Sequence, residues 1–506
     1  MSANSLQNII MDNNKSSNFT QALWLGIGSL CTFLITFLTA PILARYFDKT
    51  EYGTYKQILY VYTSLQVLFT MGLPSVFAYF IPRLNTGQQK LLISRLTLIF
   101  LGLGAIFSLA LFLGADSIAS LLKNPELSIG IKLFSPFSLF TLPTMGVEGI
   151  YTAIRRTKEI AFYHVFSKVM MFFCIVLPVI VWHTSYQEAI IGWGCASFAT
   201  FLVAMYMKNS PYKNIDCEAI SNMYKRVFNY SLPLTGAFIA GFFCNSADQF
   251  FVSRYYGTQA FADFSNGCFS IPIVGMVAAS VKGVLLPLFS KADAEHNMST
   301  VIQSYNNAVK KTATIIIPML FFCFFFAGDV MEALFGGQYT VSQDYLRGYI
   351  IRDFLQIFPY FSVLMALGYS RVYMNMHIVG ALAIWTIDLF LVRFLVPAPS
   401  IVFVSSLFYL SCSITAFIFI FRKTKISLVP QQVIRHVSKL SLHCCIILGM
   451  LLFLRYTIMS QMNAFLSIVI FGTFFYFLLI VTQKMVGIKY FESVVQLLNL
   501  CKNGRK

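Results

Sequence analysis

Charge is what this sequence has least of. Only 11% of its 506 residues are Asp, Glu, Lys or Arg, against about 25% in an ordinary soluble domain. With 57% hydrophobic residues and a mean hydropathy of +0.71, the chain cannot solvate a water-facing surface, so it belongs in a bilayer. No polar stretch is long enough to fold as a separate soluble domain. Residues 1–17 lack the charged start and the small-residue cleavage site of a secretory signal, so the first apolar run is expected to stay as a permanent helix. Histidine is rare, with six in all, and no His-Glu-x-x-His pattern occurs. A Gly-x-x-x-x-Gly-Lys phosphate loop and a Gly-x-Ser-x-Gly elbow are missing too. These absences remove the common routes to hydrolase, ATPase and metalloenzyme chemistry, and the expectation is a protein that is not an enzyme. The eleven cysteines lie almost all singly within apolar runs, and the one adjacent pair, Cys444-Cys445, has no metal-ligand spacing. They read as small packing residues, and neither a metal nor a cofactor is expected.

What is abundant is apolar runs of about 20 residues, the length a hydrocarbon core of about 30 Å demands. Fourteen can be bounded by polar punctuation, near 19–44, 55–81, 96–114, 130–154, 160–182, 188–207, 227–252, 264–289, 312–328, 348–368, 375–396, 400–421, 440–458 and 462–483. Taking the N-terminus as cytoplasmic, one set of connections collects the bases: Arg83, Lys90 and Arg95; Arg155, Arg156 and Lys158; Lys208 to Arg226; Lys310 and Lys311; Arg422 to Lys439. The other set is balanced or acidic, as in Arg45, Asp48, Lys49 and Glu51, or Asp329, Glu332 and Asp344. This positive-inside bias predicts a multi-pass protein of the cytoplasmic membrane with both termini in the cytoplasm. It also accounts for the net charge of +17 by topology, and no nucleic-acid partner is expected.

The run that ends in Ala44-Arg45-Tyr46-Phe47 has a counterpart 209 residues on, ending in Ser253-Arg254-Tyr255-Tyr256. The same offset aligns Leu23 with Leu232, Phe33 with Phe242, and Tyr52 and Tyr55 with Phe261 and Phe264. Because six spans separate the two, the halves enter the membrane in the same direction, so the repeat is parallel. The expected fold is an all-α integral membrane protein of about fourteen helices, with two pseudo-symmetric six-helix bundles and a C-terminal pair. The expected boundaries are a cytoplasmic segment 1–18, lobes 19–210 and 226–421, a helix pair 440–483 and a basic tail 484–506.

Ionisable groups at membrane depth cost about 3 kcal/mol on insertion scales and face a cavity or a partner. Lys56 either snorkels to the headgroups or lines a cavity; Lys282 lies too deep in its span for easy snorkelling. Asp248, with Asn245 one turn earlier, makes a polar stripe that serves either helix packing or a cavity-facing contact. Glu148 either carries an ion or pairs with Arg155-Arg156. Lys168 has the same ambiguity. Arg352 and Asp353 suggest a local ion pair, while Asp388 and Arg393, five apart, need partners elsewhere. The basic members Lys56, Lys168, Lys282, Arg352 and Arg393 suit an anionic substrate group such as a pyrophosphate or acidic sugar. Prolines within the runs, among them Pro74, Pro143, Pro233, Pro318 and Pro359, mark either packing kinks or hinges.

The stretch from Pro41 through Ala44-Arg45-Tyr46-Phe47-Asp48 to Glu51-Tyr52-Gly53-Thr54-Tyr55 resembles the end of the first helix and following loop of Wzx-type polysaccharide flippases. Those belong to the multidrug/oligosaccharidyl-lipid/polysaccharide exporter superfamily. Asn245-x-x-Asp248-Gln249 before Ser253-Arg254-Tyr255 looks like the matching place in the second half. The resemblance implies a flippase that moves undecaprenyl-diphosphate-linked oligosaccharide from the inner to the outer leaflet by alternating access. It implies a proton or sodium gradient as the drive, with Glu148, Asp248 and Asp388 as ion-coupling candidates. Lys56, Lys168, Asp248, Lys282, Arg352 and Arg393 are then the substrate-cavity candidates. Membrane lipids, a polysaccharide polymerase and a chain-length regulator are the partners it suggests. The rival readings are a multidrug or metabolite exporter, or a peptidoglycan lipid-precursor flippase, of the same superfamily.

Overall fold

The computed structural model describes residues 18–294, 298–425, 427–488 and 490. The segment before Asn18 and the tail beyond Tyr490 lie outside them. No strand occurs among the described residues. Among the described residues nine helices are long and apolar enough to cross a membrane, and two bent pairs bring the number to eleven. Of the other three expected spans, 130–154 and 348–368 fall on broken helices and 264–289 falls largely on the helix Pro272–Ala294.

The first half contains α1 (Asn18–Tyr46), α2 (Lys49–Thr70) and α3 (Pro74–Phe80), α4 (Thr86–Leu121), then α5 (Glu126–Phe134), α6 (Pro136–Thr144) and α7 (Val147–Ala153), α8 (Thr157–Met171), α9 (Leu177–Trp182) and α10 (Tyr186–Asn209). The second half repeats this order as α11 (Met223–Phe251), α12 (Gly257–Gly267) and α13 (Pro272–Ala294), α14 (Met298–Phe325) and α15 (Ala327–Phe335), α16 (Ser342–Leu355) and α17 (Tyr360–Ala366), α18 (Ser370–Arg393) and α19 (Pro399–Thr424). Packing follows the repeat. The first and fifth spans of each half lie together, α1 on α8 and α11 on α18, and the fourth and sixth do likewise, α6 on α10 and α16 on α19. The pair α20 (Gln431–Thr457) and α21 (Ala464–Val486) packs on α14 and α15 of the second lobe.

Several charged connections turn out to be helix ends. Lys90 and Arg95 ride on the first turns of α4, and Arg435 and Lys439 on α20, which begins nine residues before the expected span. Long basic stems can lie along a helix while their heads reach water, so charge marks the interface and not the helix boundary. Of the prolines, Pro74, Pro136 and Pro272 start helices, Pro318 sits inside α14, and Pro233 lies in α11 just before the 43° bend between Gly236 and Gly241. The bend of 45° between α2 and α3 falls where Met71 (φ 49°) and Gly72 (φ 64°) leave the helical region.

The lobes meet along α2 and α12. Asp48 caps α2 by accepting from Thr50 N (2.7 Å) and Glu51 N (2.8 Å), with Glu51 reaching back to the Asp48 amide, a reciprocal box that fixes the corner after α1. At the equivalent position Gly257 takes φ 86°. A methyl at Gly53 would collide with the Thr258 backbone oxygen, so glycine here sets how closely α2 and α12 approach. Across the seam Tyr52 donates to Asn266 (2.7 Å), Gln57 to Ser253 (2.8 Å) and Gln259 to Thr50 (3.1 Å). Gln57 and Asn266, like Thr50 and Gln259, are 209 residues apart, so the bonds cross a pseudo-two-fold axis.

The same symmetry governs the two arginines. Arg45, at the end of α1, donates from Nε to Leu334 O (3.1 Å) and from Nη2 to Ala333 O, carbonyls in the last turn of α15. Arg254 donates to Leu121 O, the last residue of α4. Each lobe thus sends a guanidinium to carbonyls left unpaired at the C-terminus of the third span of the other, where the helix dipole also favours a cation. Lys49 adds a 2.8 Å ion pair to Asp263. At the opposite end α3 lies against α11, with Tyr79 stacked on Tyr230 at 4.2 Å.

Candidate substrate cavity and buried carboxylate pair

The fourth span is broken in both lobes, and the two breaks are treated differently. In the first lobe the chain leaves the helix at Met145 and Gly146 (φ 90°). Lys208, 2% exposed, fills that gap by donating to Pro143 O and Met145 O (both 2.7 Å) and to Thr97 Oγ1 (3.3 Å). In the second lobe α16 stops short of Pro359 and α17 resumes at Tyr360. A proline supplies no amide for the helical ladder, and here the break opens onto a cavity of about 460 Å³.

Lys282 from α13, Arg352 from α16 and His377 from α18 line this cavity together with Tyr349, Tyr373 and Tyr409. No carboxylate is among the lining residues. His377 Nδ1 lies 2.9 Å from the Tyr373 carbonyl; a bond there requires the proton on Nδ1 and leaves Nε2 as an acceptor. Arg352 donates from Nη2 to Tyr409 Oη (3.0 Å) and to Asn245 Oδ1, and its guanidinium sits 4.1 Å from the centre of the Tyr409 ring, a cation–π distance. Asp353 does not pair with Arg352. It accepts from Ser270 Oγ, Ile271 N and Gln356 Nε2, each at 2.8 Å, so it holds the start of α13 and sits directly behind two residues, Ser270 and Gln356, that line the cavity.

Behind Arg352 lie two buried acids. Asp248 on α11 is 7% exposed and Asp388 on α18 is 0% exposed. Ser405 donates to Asp248 Oδ2 at 2.6 Å, while Asp248 Oδ1 and both oxygens of Asp388 have no hydrogen-bond partner. The two carboxyls are within electrostatic reach of each other, and Arg352 is within reach of Asp248. Unpaired carboxylate oxygens at this depth are costly and call for a proton or a cation. Among the described residues no three His, Cys, Asp or Glu side chains come together as a metal set; the oxygens of Asp248, Asp388 and Ser405 are all of the hard type that alkali cations accept as ligands.

The structure therefore gathers Asp248, Lys282, Arg352 and Asp388 in the second lobe. The remaining candidates lie elsewhere. Lys56 is half-buried over the Tyr52 ring at 5.2 Å. Lys168 is half-buried with Nζ 3.9 Å from Met171 Sδ. Glu148, expected beside Arg155 and Arg156, is exposed and lies 3.7 Å from His164; Arg156 pairs with Glu159 (2.6 Å). Arg393 ends α18 in an exposed position and is not part of the cavity wall. Sequence reasoning missed His377, Tyr349, Tyr409 and Ser405. Ser405 and Tyr409 are one turn apart, a polar pair within an apolar run, and that spacing was the available signal.

The family model for "Polysaccharide biosynthesis protein" matches residues 42–344, which takes in both arginine corners, Asp248 and Lys282. The chain belongs to that family. Within the family's wider relations it is 25% identical over 331 residues to the succinoglycan biosynthesis transport protein ExoT of Rhizobium meliloti. That match covers 63% of this chain and 63% of the relative, so the chain spans under two thirds of the curated relative's length. Among solved structures, the lipid II flippase MurJ in an inward closed conformation superposes with a TM-score of 0.66 at 14% identity, over 90% of this chain and all of that one. A MOP superfamily transporter from Pyrococcus furiosus gives 0.55 at 14% identity over 79% and 94%, and an inward-facing multidrug resistance MATE transporter 0.59 at 12% over 79% and 97%. At such identities the likeness establishes a shared fold: an all-α, multi-pass membrane architecture of two helical lobes.

Proposed function

We propose that this protein is a flippase that carries an oligosaccharide on a polyprenyl diphosphate, of the undecaprenyl type, across the bacterial cytoplasmic membrane for surface polysaccharide synthesis. The observation that carries the reading is the cavity at the α16–α17 break, walled by Lys282 and Arg352 with no carboxylate among its described lining residues. Such a wall favours an anion and disfavours the cationic substrates of many multidrug exporters. Its tyrosines add the mixed apolar and hydrogen-bonding surface that a sugar presents to a binding site. The family match and the name of the Rhizobium meliloti relative support the polysaccharide context, and the MurJ fold supports a lipid-linked substrate.

The bases on the end of the molecule that carries Lys90 support an orientation with that end, and both termini, in the cytoplasm. The arginine-clamped end is then the extracytoplasmic one, and its reciprocal contacts hold that side shut. Transport proceeds by opening the clamp while the α3–α11 seam closes. The buried pair Asp248–Asp388 takes the proton or sodium ion whose gradient drives the cycle. Membrane lipids surround the polyprenyl tail, and a polysaccharide polymerase and chain-length regulator receive the product. Deletion followed by analysis of surface glycan and lipid-linked intermediates tests the reading. A complete repeat unit confined to the cytoplasmic leaflet supports it; normal glycan with altered drug tolerance overturns it, and loss of viability on depletion points to a peptidoglycan precursor instead.

A further inference from the structure

One residue touches both the cavity and the carboxylate cluster. Arg352 lines the cavity, and its Nη2 bonds both Tyr409, a second lining residue, and Asn245, which lies outside the lining. Asn245 is one turn before Asp248 on α11, and Tyr409 is one turn after Ser405 on α19, the residue that holds Asp248 Oδ2. Three helices are thereby tied in a ring, Arg352–Asn245–Asp248–Ser405–Tyr409, with the guanidinium on the cavity side and the carboxylate on the buried side. Among the described residues Nε and Nη1 of Arg352 have no hydrogen-bond partner, and its charge acts on Asp248.

We propose that Arg352 is the coupling residue, a counter-ion shared between an anionic diphosphate in the cavity and the Asp248–Asp388 pair. The inference rests on the flippase reading above. One positive charge stands against up to two negative ones at Asp248 and Asp388, and Asp353 also acts on the guanidinium, so the cluster as built is short of positive charge. A cation at Asp248 and Asp388 supplies it and leaves the guanidinium free to face the cavity, where Nε and Nη1 offer the parallel donors that phosphate oxygens accept. An anion that draws the guanidinium toward itself uncovers the carboxylates and raises their affinity for a cation. The two ligands then favour each other by the same factor in both directions, as linkage requires. Lys282 lines the same cavity but has no part in the ring, so it attracts the anion without transmitting its presence.

The test is binding of farnesyl diphosphate to the purified full-length protein in nanodiscs, by calorimetry at one pH, with sodium chloride or with N-methylglucamine chloride. The wild type is expected to bind more tightly in sodium by roughly 5- to 150-fold, the range of typical coupling energies. Arg352→Gln should bind more weakly and with the sodium ratio reduced to about one; Arg352→Lys, which keeps the charge, should recover part of the ratio. Lys282→Gln should weaken binding in both salts and keep the ratio. Thermal unfolding and size-exclusion profiles of each variant guard against misfolding. An Arg352→Gln protein that keeps the wild-type ratio overturns the coupling role, as does a wild type that binds equally in both salts; either result leaves the flippase reading standing. A wild type that binds no farnesyl diphosphate in either salt overturns both.

Discussion

Removing the guanidinium of Arg45 should loosen the clamped end of the molecule by an amount that can be worked out in advance. Arg45 makes two good bonds to the last carbonyls of α15. A bond to a charged donor contributes about 1.5–3 kcal/mol when protected, but Arg45 is exposed, and exposed charge contacts contribute about 0–1 kcal/mol. Taking about 1 kcal/mol, Arg45→Ala shifts the closed–open balance about fivefold toward open. Arg254→Ala removes the mirror contact to Leu121 O and should do the same. The two contacts each bridge the lobes through different residues and share no atoms, so the double variant should add, to about 2 kcal/mol or roughly thirtyfold. Spin labels at Ser117 on α4 and Thr340 after α15, in a background with native cysteines replaced, report the separation of the lobes at this end by pulsed electron paramagnetic resonance. A longer-distance population should appear with either single variant and grow in the double. If Arg45→Ala opens the end and Arg254→Ala does not, or if the double variant matches either single, the reciprocal clamp is refuted.

Three more outcomes can be checked. Lys208→Met leaves the Pro143 and Met145 carbonyls without their donor inside the first lobe, at about 1–3 kcal/mol per orphaned group, read as a marked drop in thermal unfolding temperature in detergent. Arg455 and Asp329 form a 2.9 Å ion pair, with side chains 8% and 5% exposed, between α20 and α15. Replacing Asp329 by Asn should therefore cost about 3–5 kcal/mol, whereas Asp329→Leu with Arg455→Met should lie closer to wild type by the same measurement. Lys282→Gln, which removes one of two cavity cations without touching the arginine ring, should lower surface glycan in a complemented deletion strain while leaving protein levels unchanged.

The architecture was legible because it depends on apolar length and on where bases accumulate, and both survive in a single sequence. The parallel repeat showed in Arg45 and Arg254 for a structural reason: each has to reach the same kind of helix end on the other lobe. Helix boundaries were less legible, since Lys90 and Arg435 mark the headgroup level and not the end of the hydrogen-bonded ladder. The candidate site was readable only as a list of expensive charges. Asp248, Lys282, Arg352 and Asp388 come from four different spans, and their meeting is a product of helix rotation and packing that no local pattern encodes. Glu148 and Arg393 carry the same cost signal and yet end in exposed positions, Glu148 beside His164, because insertion energy says what a charge would cost at depth without saying how deep it lies. Lys208 was hidden for the opposite reason: it lies near a helix end, where a lysine looks like an ordinary headgroup anchor.

The crossed arginine contacts carry a further consequence. A contact in which each half donates from the same position and accepts at the same position is the signature of an isologous dimer interface, here enclosed in one polypeptide. The acceptors are main-chain carbonyls, whose chemistry does not change when side chains do. Two fused copies could therefore diverge freely elsewhere, one lobe keeping a lysine-plugged break and the other acquiring a charged cavity, while the hinge between them continued to close as a matched pair.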